Sequence, residues 1–289
     1  MKIIQSFAQF KEGSPYKMNK NIYLNFYSFY LSYLTLNKYY GNVTMICNEE
    51  AFNSFIKYIP YDEIIFMKNN NSFDFWSVYK IDAMKLVSDD LIHVDSDVFI
   101  FDDLFRDFID GDYDILSQDV QKWNNNNNTM KNYVNNNAKF LLDSNIIDAK
   151  IFDNKIASGG VLGLKNNVKE KYFDAVDKTY DAMKNNKIVD TNLKPVILEE
   201  LTLYLVAISN EYKIYTILPN DLISKYGLTD AGNKKKYVHM WFDSRFDDRN
   251  ITLIKNKIRL EFPHNYSLVD KYEMNVLKEI KTQHERIYN

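Results

Sequence analysis

The sequence predicts an α/β protein in which a mostly parallel central sheet carries helices on both faces. In the first half of the 289 residues, short apolar segments of strand length alternate with longer segments whose apolar residues recur at helical spacing. The apolar run at residues 91–100, interrupted by Asp95 and Asp97, is typical of a strand buried on both faces. Because strands separated by helices are joined by crossovers, we expect them to lie parallel in a doubly wound sheet.

Two helices of the first half have clear boundary signals. Gly41 ends the first predicted helix, and Asn48 stands where a capping residue would begin the second. The predicted strands are 2–7, 42–47, 63–67 and the strand before Asp95, and the predicted helices are 21–40, 49–58 and 75–87. Since such sheets bind ligands beyond the carboxyl ends of their strands, we expect residues 5–7, 48, 67 and 95–97 on one rim.

The second half is less regular. The predicted strands are 113–120, 156–164, 212–218 and 237–241, the predicted helices are 169–184, 196–208 and 265–287, and the asparagine run 124–128 is expected to be a solvated loop. Neither a repeat nor a Pro/Gly/Ser linker interrupts the chain. We therefore expect one domain over residues 1–250 and a C-terminal helical extension, 251–289, that packs on it.

Composition argues against several classes of protein. The net charge is −3 with dispersed Lys and Arg, which gives no basic face for nucleic acid. No apolar run approaches the ~20 residues that span a bilayer, and the first residues lack the pattern of a secretory signal. The single cysteine, Cys47, suits a reducing compartment. These features predict a cytoplasmic protein without a transmembrane segment.

Asp95 and Asp97 are the most informative pair in the chain. Two ionised carboxylates this close repel each other and lose hydration at the end of a buried strand, so a compensating positive charge is expected. Mg²⁺ and Mn²⁺ prefer carboxylate oxygens and leave positions open for substrate phosphates. The alternative is an ordinary strand end whose aspartates cap a helix. The setting between two short hydrophobic strands favours the metal.

Other candidate residues have a structural alternative as well. His239 lies in an apolar strand, where a core histidine is more frequent than a metal ligand. Glu199 and Glu200 begin a predicted helix, where acids favour the helix dipole whatever the function. Glycines such as Gly159 and Gly160 relieve a bulge or let a ligand approach the backbone.

Taken together, these motifs resemble glycosyltransferases of the GT-A fold, and more narrowly the glycogenin and lipopolysaccharide galactosyltransferase group with related bacterial and phage sugar transferases. The resemblance covers about residues 1–250. Its motifs are the hydrophobic Asp-x-Asp segment preceded by Trp76 and Lys80, the Gly-Gly strand, the acidic helix start and a late histidine.

The resemblance implies a metal site. Asp95, Asp97 and His239 would hold Mn²⁺ or Mg²⁺ against the diphosphate of a nucleotide sugar, with Ser96 beside the donor. Arg245, six positions after His239, would contact the diphosphate. The family pattern His-Phe-x-Gly-x-x-Lys here reads His-Met-Trp-Phe-Asp-Ser-Arg, without its glycine.

The resemblance also implies the remaining donor contacts. Those expected at the nucleobase and ribose are Gln5, Ser6 and Phe7; those expected at the donor and its sugar are Lys80, Ser158, Gly159 and Gly160. Ser158 replaces an asparagine of the family. Glu199 and Glu200 correspond to the acidic helix start that contacts the sugars and are the expected catalytic residues, with Glu199 favoured.

The function expected from the resemblance is transfer of a sugar from a nucleotide-diphosphate sugar, preferably a UDP-sugar, to a saccharide, glycolipid or glycoprotein. A nucleotidyltransferase would need a glycine-rich loop after the first strand, which residues 5–11 lack. A haloacid dehalogenase-type phosphohydrolase would carry a hydroxyl residue two positions after its Asp-x-Asp, where Phe99 stands. A non-catalytic carbohydrate- or nucleotide-binding protein of the same fold is the remaining alternative.

Overall fold

A mixed sheet of seven strands lies at the centre of the computed structural model, which describes residues 1–9, 24–68, 76–122, 128–147, 153, 155–185, 194–218, 236–240 and 247–275. In chain order the strands are β1 (Lys2–Phe7), β2 (Val43–Cys47), β3 (Glu63–Phe66), β4 (Leu91–Val94), β5 (Val98–Ile100), β6 (Ile115–Ser117), β7 (Val120–Lys122), β8 (Lys155–Ala157), β9 (Val161–Leu164), β10 (Ile214–Thr216) and β11 (Tyr237–His239).

The order of the central sheet is β3-β2-β1-β4-β9-β6-β10. Strand β9 runs antiparallel to both of its neighbours, and the other pairs are parallel. Two small antiparallel ribbons, β5 with β11 and β7 with β8, lie beside this sheet. The predicted α/β fold with a mostly parallel sheet is confirmed.

The helices are α1 (Asn25–Tyr40), α2 (Glu49–Ser54), α3 (Trp76–Lys85), α4 (Arg106–Asp110), α5 (Asn128–Asp143), α6 (Asn166–Lys184), α7 (Lys194–Val196), α8 (Thr202–Ser209) and α9 (Asp248–Glu261). A π-helical segment, Ile197–Leu201, joins α7 to α8, and residues 266–275 are also helical. Asn48 caps α2 as predicted, since its side chain accepts a hydrogen bond from the Ala51 amide at 3.0 Å. Gly41 ends α1 with a φ of 58°.

Alternate residues of the central strands contribute to two hydrophobic cores on opposite faces of the sheet. Ile4 faces a core that includes buried residues of α3, α6 and α8. Its neighbour Ile3 faces a second core, which includes α1 and α9. Successive side chains of a strand point to opposite faces, so this division confirms that helices cover both sides.

Three segments differ from the prediction. The single strands expected over 113–120 and 156–164 are each divided, into β6 and β7 and into β8 and β9. At the first division, the Ser117 hydroxyl lies within hydrogen-bond distance of the carbonyls of Asp119 and Ser158, at 2.8 and 2.9 Å. Helix α9 lies largely within the predicted C-terminal helical extension but comes before the single helix expected there, 265–287; its buried residues Ile251, Ile254 and Ile258 have helical spacing.

Two other expectations concern the asparagine run and the boundary of the C-terminal extension. The asparagine run lies largely outside them, and α5 begins at Asn128. The boundary expected at residue 250 falls inside α9. Tyr272, beyond that helix, stacks on Phe26 of α1 with 3.7 Å between ring centroids. Throughout the part of the chain that the structure describes, no helix combines the length and apolarity needed to cross a bilayer.

Candidate metal centre and active site

The two aspartates of the Asp-x-Asp motif lie directly beyond the carboxyl end of β4. They occupy the short connection to β5, which pairs with β11 so that His239 lies opposite Val98. The amide of Met240 also donates to the carbonyl of Asp97 at 2.8 Å. This pairing brings a histidine from late in the chain to the motif.

Asp95, Asp97 and His239 form a group that could hold a metal ion. One ligand atom from each lies within 4.8 Å of the others, and His239 Nε2 is 3.4 Å from Asp97 Oδ1. Two carboxylates and an imidazole are an oxygen-rich donor set compatible with Mn²⁺ or Mg²⁺, with positions left for substrate. The three residues therefore fit the divalent cation that the motif predicts.

Lys80 lies behind this group and is almost entirely buried. Its Nζ is 2.9 Å from Asp95 Oδ1 and 2.5 Å from Glu199 Oε1, and it donates to the Gly159 carbonyl at 2.5 Å. Burial would lower the pKa of Lys80, but the two carboxylates outweigh it and raise the pKa above its ordinary value. Lys80, which the resemblance placed at the nucleotide-sugar donor, therefore contacts groups of the protein itself.

The ionised form of Asp95 is disfavoured in this arrangement. Burial raises the pKa of Asp95; Lys80 and His239 lower it, and the charge of Asp97 raises it further. A divalent cation between the carboxylates would reverse this balance, because it favours their ionised forms.

The π-helical segment brings Glu199 and Glu200 to the same glycine. Glu199 is 1% exposed and pairs with Lys80, while Glu200 is half-buried and its Oε1 accepts the Gly159 amide at 3.2 Å. The wider π turn is accompanied by a bond from the Thr202 hydroxyl to the Ile197 carbonyl at 2.9 Å. Of the two expected catalytic residues, Glu200 is therefore the one nearer to solvent, whereas Glu199 had been favoured.

Both glutamates have raised pKa values. Burial is the main cause for Glu199, whose pKa rises to about 7 although Lys80 opposes the shift. Burial and the neighbouring charge of Glu199 raise the pKa of Glu200 to about 8. Among the described residues, Glu199 Oε2 has no hydrogen-bond partner. Carboxyl groups with pKa values near neutrality are frequent at active sites.

Gly159 and Gly160 allow close packing at the centre of the site. A Cβ on Gly159 would lie 2.7 Å from Glu199 Cδ, and a Cβ on Gly160 would lie 2.6 Å from His239 Cε1. The Gly160 carbonyl accepts the Asp95 amide at 2.9 Å. Ser158, which precedes them, is buried, and Gln121 Nε2 donates to its hydroxyl at 3.1 Å.

The residues expected around the nucleobase differ in accessibility. Gln5 is completely buried. Its side-chain Nε2 donates to the Ser32 hydroxyl, and its Oε1 accepts from the Tyr61 hydroxyl, each at 2.8 Å. Ser6 and Phe7, at the carboxyl end of β1, are half-buried. The structure thus places Gln5 within the protein and leaves the next two residues at the rim.

Ser96 and Arg245 are the remaining residues expected near the donor. Ser96 is half-buried between the aspartates, and its carbonyl accepts the Ser28 hydroxyl at 2.6 Å. Arg245, expected at the diphosphate, lies outside the described residues.

Gln118 and His93 are site residues that sequence reasoning missed. Gln118 Oε1 is 2.9 Å from His239 Nδ1. His93 is buried in β4, 2.8 Å from the Ser6 hydroxyl through Nε2 and 3.6 Å from Asp95 Oδ1 through Nδ1. Burial, and then the charge of Lys80, lower the pKa of His93 well below its ordinary value, which keeps it neutral. A polar residue inside an apolar strand two positions before Asp95 was an available signal for His93; Gln118 offered none.

Comparisons with known proteins give one family and several solved enzymes. A model of a family of unknown function, DUF6734, matches residues 1–272. No curated protein matches the sequence significantly.

Similar solved structures include the galactosyltransferase LgtC with donor and acceptor sugar analogues, at 11% identity and a TM-score of 0.42, covering 71% of this chain and 70% of that one. The glycosyltransferase GlyE of Streptococcus pneumoniae TIGR4 is similar at 10% identity and a TM-score of 0.49; 95% of this chain is covered, but it spans only 63% of GlyE. The inositol-1-phosphate CTP transferase of T. maritima is similar at 11% identity and a TM-score of 0.43, covering 90% and 97% of the two chains. At such identities and scores, these similarities carry no information on substrate.

Proposed function

We propose a function for this chain, which belongs to the DUF6734 family of unknown function: it is a metal-dependent glycosyltransferase. It would move a sugar from a nucleotide-diphosphate sugar, preferably a UDP-sugar, to a saccharide, lipid or protein acceptor. The observation that supports this most is the Asp95, Asp97 and His239 group. It lies beyond the carboxyl end of a parallel strand, where open α/β sheets bind ligands.

The donor set suits the leaving group of this reaction. Breaking the bond between a sugar and a diphosphate builds negative charge on phosphate oxygens. A divalent ion bound by Asp95, Asp97 and His239 would supply fixed positive charge at that point. Arg245 is proposed to contact the same diphosphate, and Ser6, Phe7 and Ser96 to face the rest of the nucleotide.

The two glutamates suit the sugar side of the reaction. The anomeric carbon gains positive character as its bond to the diphosphate breaks, and a nearby carboxylate stabilises it. Glu200 is half-buried and has a pKa of about 8, so its carboxyl group is mostly protonated near neutral pH and becomes able to take a proton from an acceptor hydroxyl as the pH rises toward that value. Glu199 pairs with Lys80 behind Gly159 and is proposed to position this face of the site, beside Ser158 and Gly160.

Product analysis tests the proposal. The protein is incubated with Mn²⁺, simple saccharide acceptors and a panel of UDP- and GDP-sugars, and in parallel with nucleoside triphosphates and sugar 1-phosphates. We expect release of a nucleoside diphosphate from one of the donors, and loss of that release in Asp97→Asn. Pyrophosphate formation from a triphosphate would instead identify a nucleotidyltransferase. Metal-dependent nucleotide binding without any product would favour a non-catalytic binding protein.

A further inference from the structure

Gln118 is held rigidly at the junction of β6 and β7. Gln118 is 3% exposed. Its backbone N–H donates to the Val161 carbonyl at 3.1 Å, and its backbone carbonyl accepts from the Leu218 N–H at 2.9 Å. These bonds fix the backbone of Gln118 against two other segments. The direction in which its side chain leaves the backbone is therefore set by these contacts.

The side-chain oxygen of Gln118 faces two residues of β11. The Tyr237 hydroxyl donates to Oε1 at 2.7 Å, and His239 Nδ1 lies 2.9 Å from the same atom. Tyr237 and His239 are two positions apart and so point to the same face of the strand.

The chemistry of this contact determines the tautomer of His239. An amide oxygen only accepts hydrogen bonds and has two lone pairs, one for each of these neighbours. His239 Nδ1 must then carry a hydrogen, and in the neutral ring the lone pair lies on Nε2. That nitrogen is the one 3.4 Å from Asp97 Oδ1. Two electron-rich atoms at this distance repel each other unless a cation lies between them.

Gly160 provides the space for this contact. A Cβ on Gly160 would come within 2.6 Å of Gln118 Oε1 and 2.7 Å of His239 Nδ1. The carbonyl of Gly160 also accepts the amide of Asp95. The glycine thus links the two sides of the metal group, and a side chain there would separate the Gln118 and His239 pair.

We infer that Gln118 is a positioning residue of the metal site, which fixes the proton on His239 Nδ1 and directs Nε2 at the metal. The inference rests on the proposed function, since it assumes that His239 ligates a metal. Outer partners that hold a histidine ligand in this way typically change metal affinity by about 10- to 100-fold when they are removed.

Two substitutions of the same residue test the inference. Gln118→Met keeps the length of the side chain and removes the acceptor, while Gln118→Glu keeps an acceptor for His239. Mn²⁺ affinity is measured by electron paramagnetic resonance of the unbound ion. We expect about 10- to 100-fold weaker binding in Gln118→Met and rescue in Gln118→Glu. Equal affinity of Gln118→Met and the wild type would overturn the inference.

A second readout does not depend on the metal. In metal-free wild-type protein labelled with ¹⁵N-histidine, His239 should show its hydrogen on Nδ1, with the assignment made by a His239→Asn variant. A hydrogen on Nε2 and none on Nδ1 would overturn the inference even if Gln118→Met fails to fold. If the wild type binds no Mn²⁺ but has the Nδ1 hydrogen, the proposed function fails while the positioning of His239 by Gln118 stands.

Discussion

Lys80 and Glu199 form an ion pair inside the protein: Nζ lies 2.5 Å from Oε1, and the two side chains are 4% and 1% exposed. The pair joins α3 to the π-helical segment, and Lys80 extends the contact to Asp95. Both sides of the candidate site therefore depend on one buried positive charge. Removing that charge leaves two carboxylates facing each other without compensation.

Lys80→Met should destabilise the protein strongly. Removing one partner of a buried ion pair typically costs about 3–5 kcal/mol, because the other charge stays buried and unpaired. Urea denaturation near neutral pH measures the change in the free energy of unfolding.

Lys85→Met is the matched control on the same helix. Lys85 pairs with Asp177 at 2.5 Å, but the two side chains are 29% and 62% exposed. Exposed pairs contribute about 0–1 kcal/mol, so this variant should remain close to the wild type. Equal stability of the two variants would contradict the role given to Lys80.

Asp97→Asn should abolish stabilisation by Mn²⁺ and change the metal-free protein little. The substitution keeps the size of the side chain and the backbone bond from Met240, but removes a charged ligand. At a metal concentration about 100-fold above Kd, a bound ligand adds about 2.7 kcal/mol to the wild type. Differential scanning calorimetry with and without Mn²⁺ measures this.

Asp102→Asn is the control for that experiment. Asp102 lies outside the metal group and pairs with Lys236 at 2.5 Å. It should respond to Mn²⁺ as the wild type does. An undiminished Mn²⁺ response in Asp97→Asn would remove Asp97 from the metal site.

Glu200 should make stability decrease as pH rises. Its pKa rises from 4.5 to about 8 on folding, mainly through burial. Between these two values the folded state holds a proton that the unfolded state has lost, so the free energy of unfolding falls with increasing pH. Glu200→Gln has no such proton. As the pH rises from about 4.5 to about 8, it should therefore gain stability relative to the wild type.

Denaturant melts across this pH range check the prediction for Glu200. Glu170→Gln, at an exposed position of α6, serves as a control that should retain the pH dependence of the wild type. If Glu200→Gln and the wild type have parallel profiles, folding does not raise the pKa of Glu200.

Gly159→Ala should destabilise the site through one specific clash. The new Cβ would lie 2.7 Å from Glu199 Cδ, and overpacking of this kind typically costs about 1–3 kcal/mol. The cost should shrink when Glu199 is also changed to Ala, because the clashing atoms are then absent. A double-mutant cycle from thermal melts measures the coupling; additive effects would count against this contact.

The two aspartates of the site can be predicted from the sequence, but most of the residues that contact them cannot. Asp95 and Asp97 follow a local pattern, an apolar strand interrupted by carboxylates, and the structure places them at the strand end. His239 reaches them through the pairing of β11 with β5, which hydrophobic periodicity does not reveal. The metal role of His239 was inferred from family resemblance.

Lys80 illustrates a second limit. Lysines are usually exposed, and a single buried lysine is recognised only once its partners are known. Val78, Tyr79 and Ile81, its neighbours in the sequence, are all buried, so they do not distinguish Lys80 from the core positions of α3. The partner of Lys80, Glu199, is more than a hundred residues away. Gln118 was missed for the same reason: its role depends on Tyr237 and His239, which are distant in the sequence.

The most direct test of the central claim is a thermal-shift titration of the wild type with UDP and with GDP, each with and without Mn²⁺. A ligand that binds only the folded state must raise the melting temperature. We predict a rise with one of the two nucleotides, preferably UDP, that requires the metal and is absent in Asp97→Asn. No shift with either nucleotide in the presence of Mn²⁺ would contradict the account, and Asp95 and Asp97 would then be structural residues.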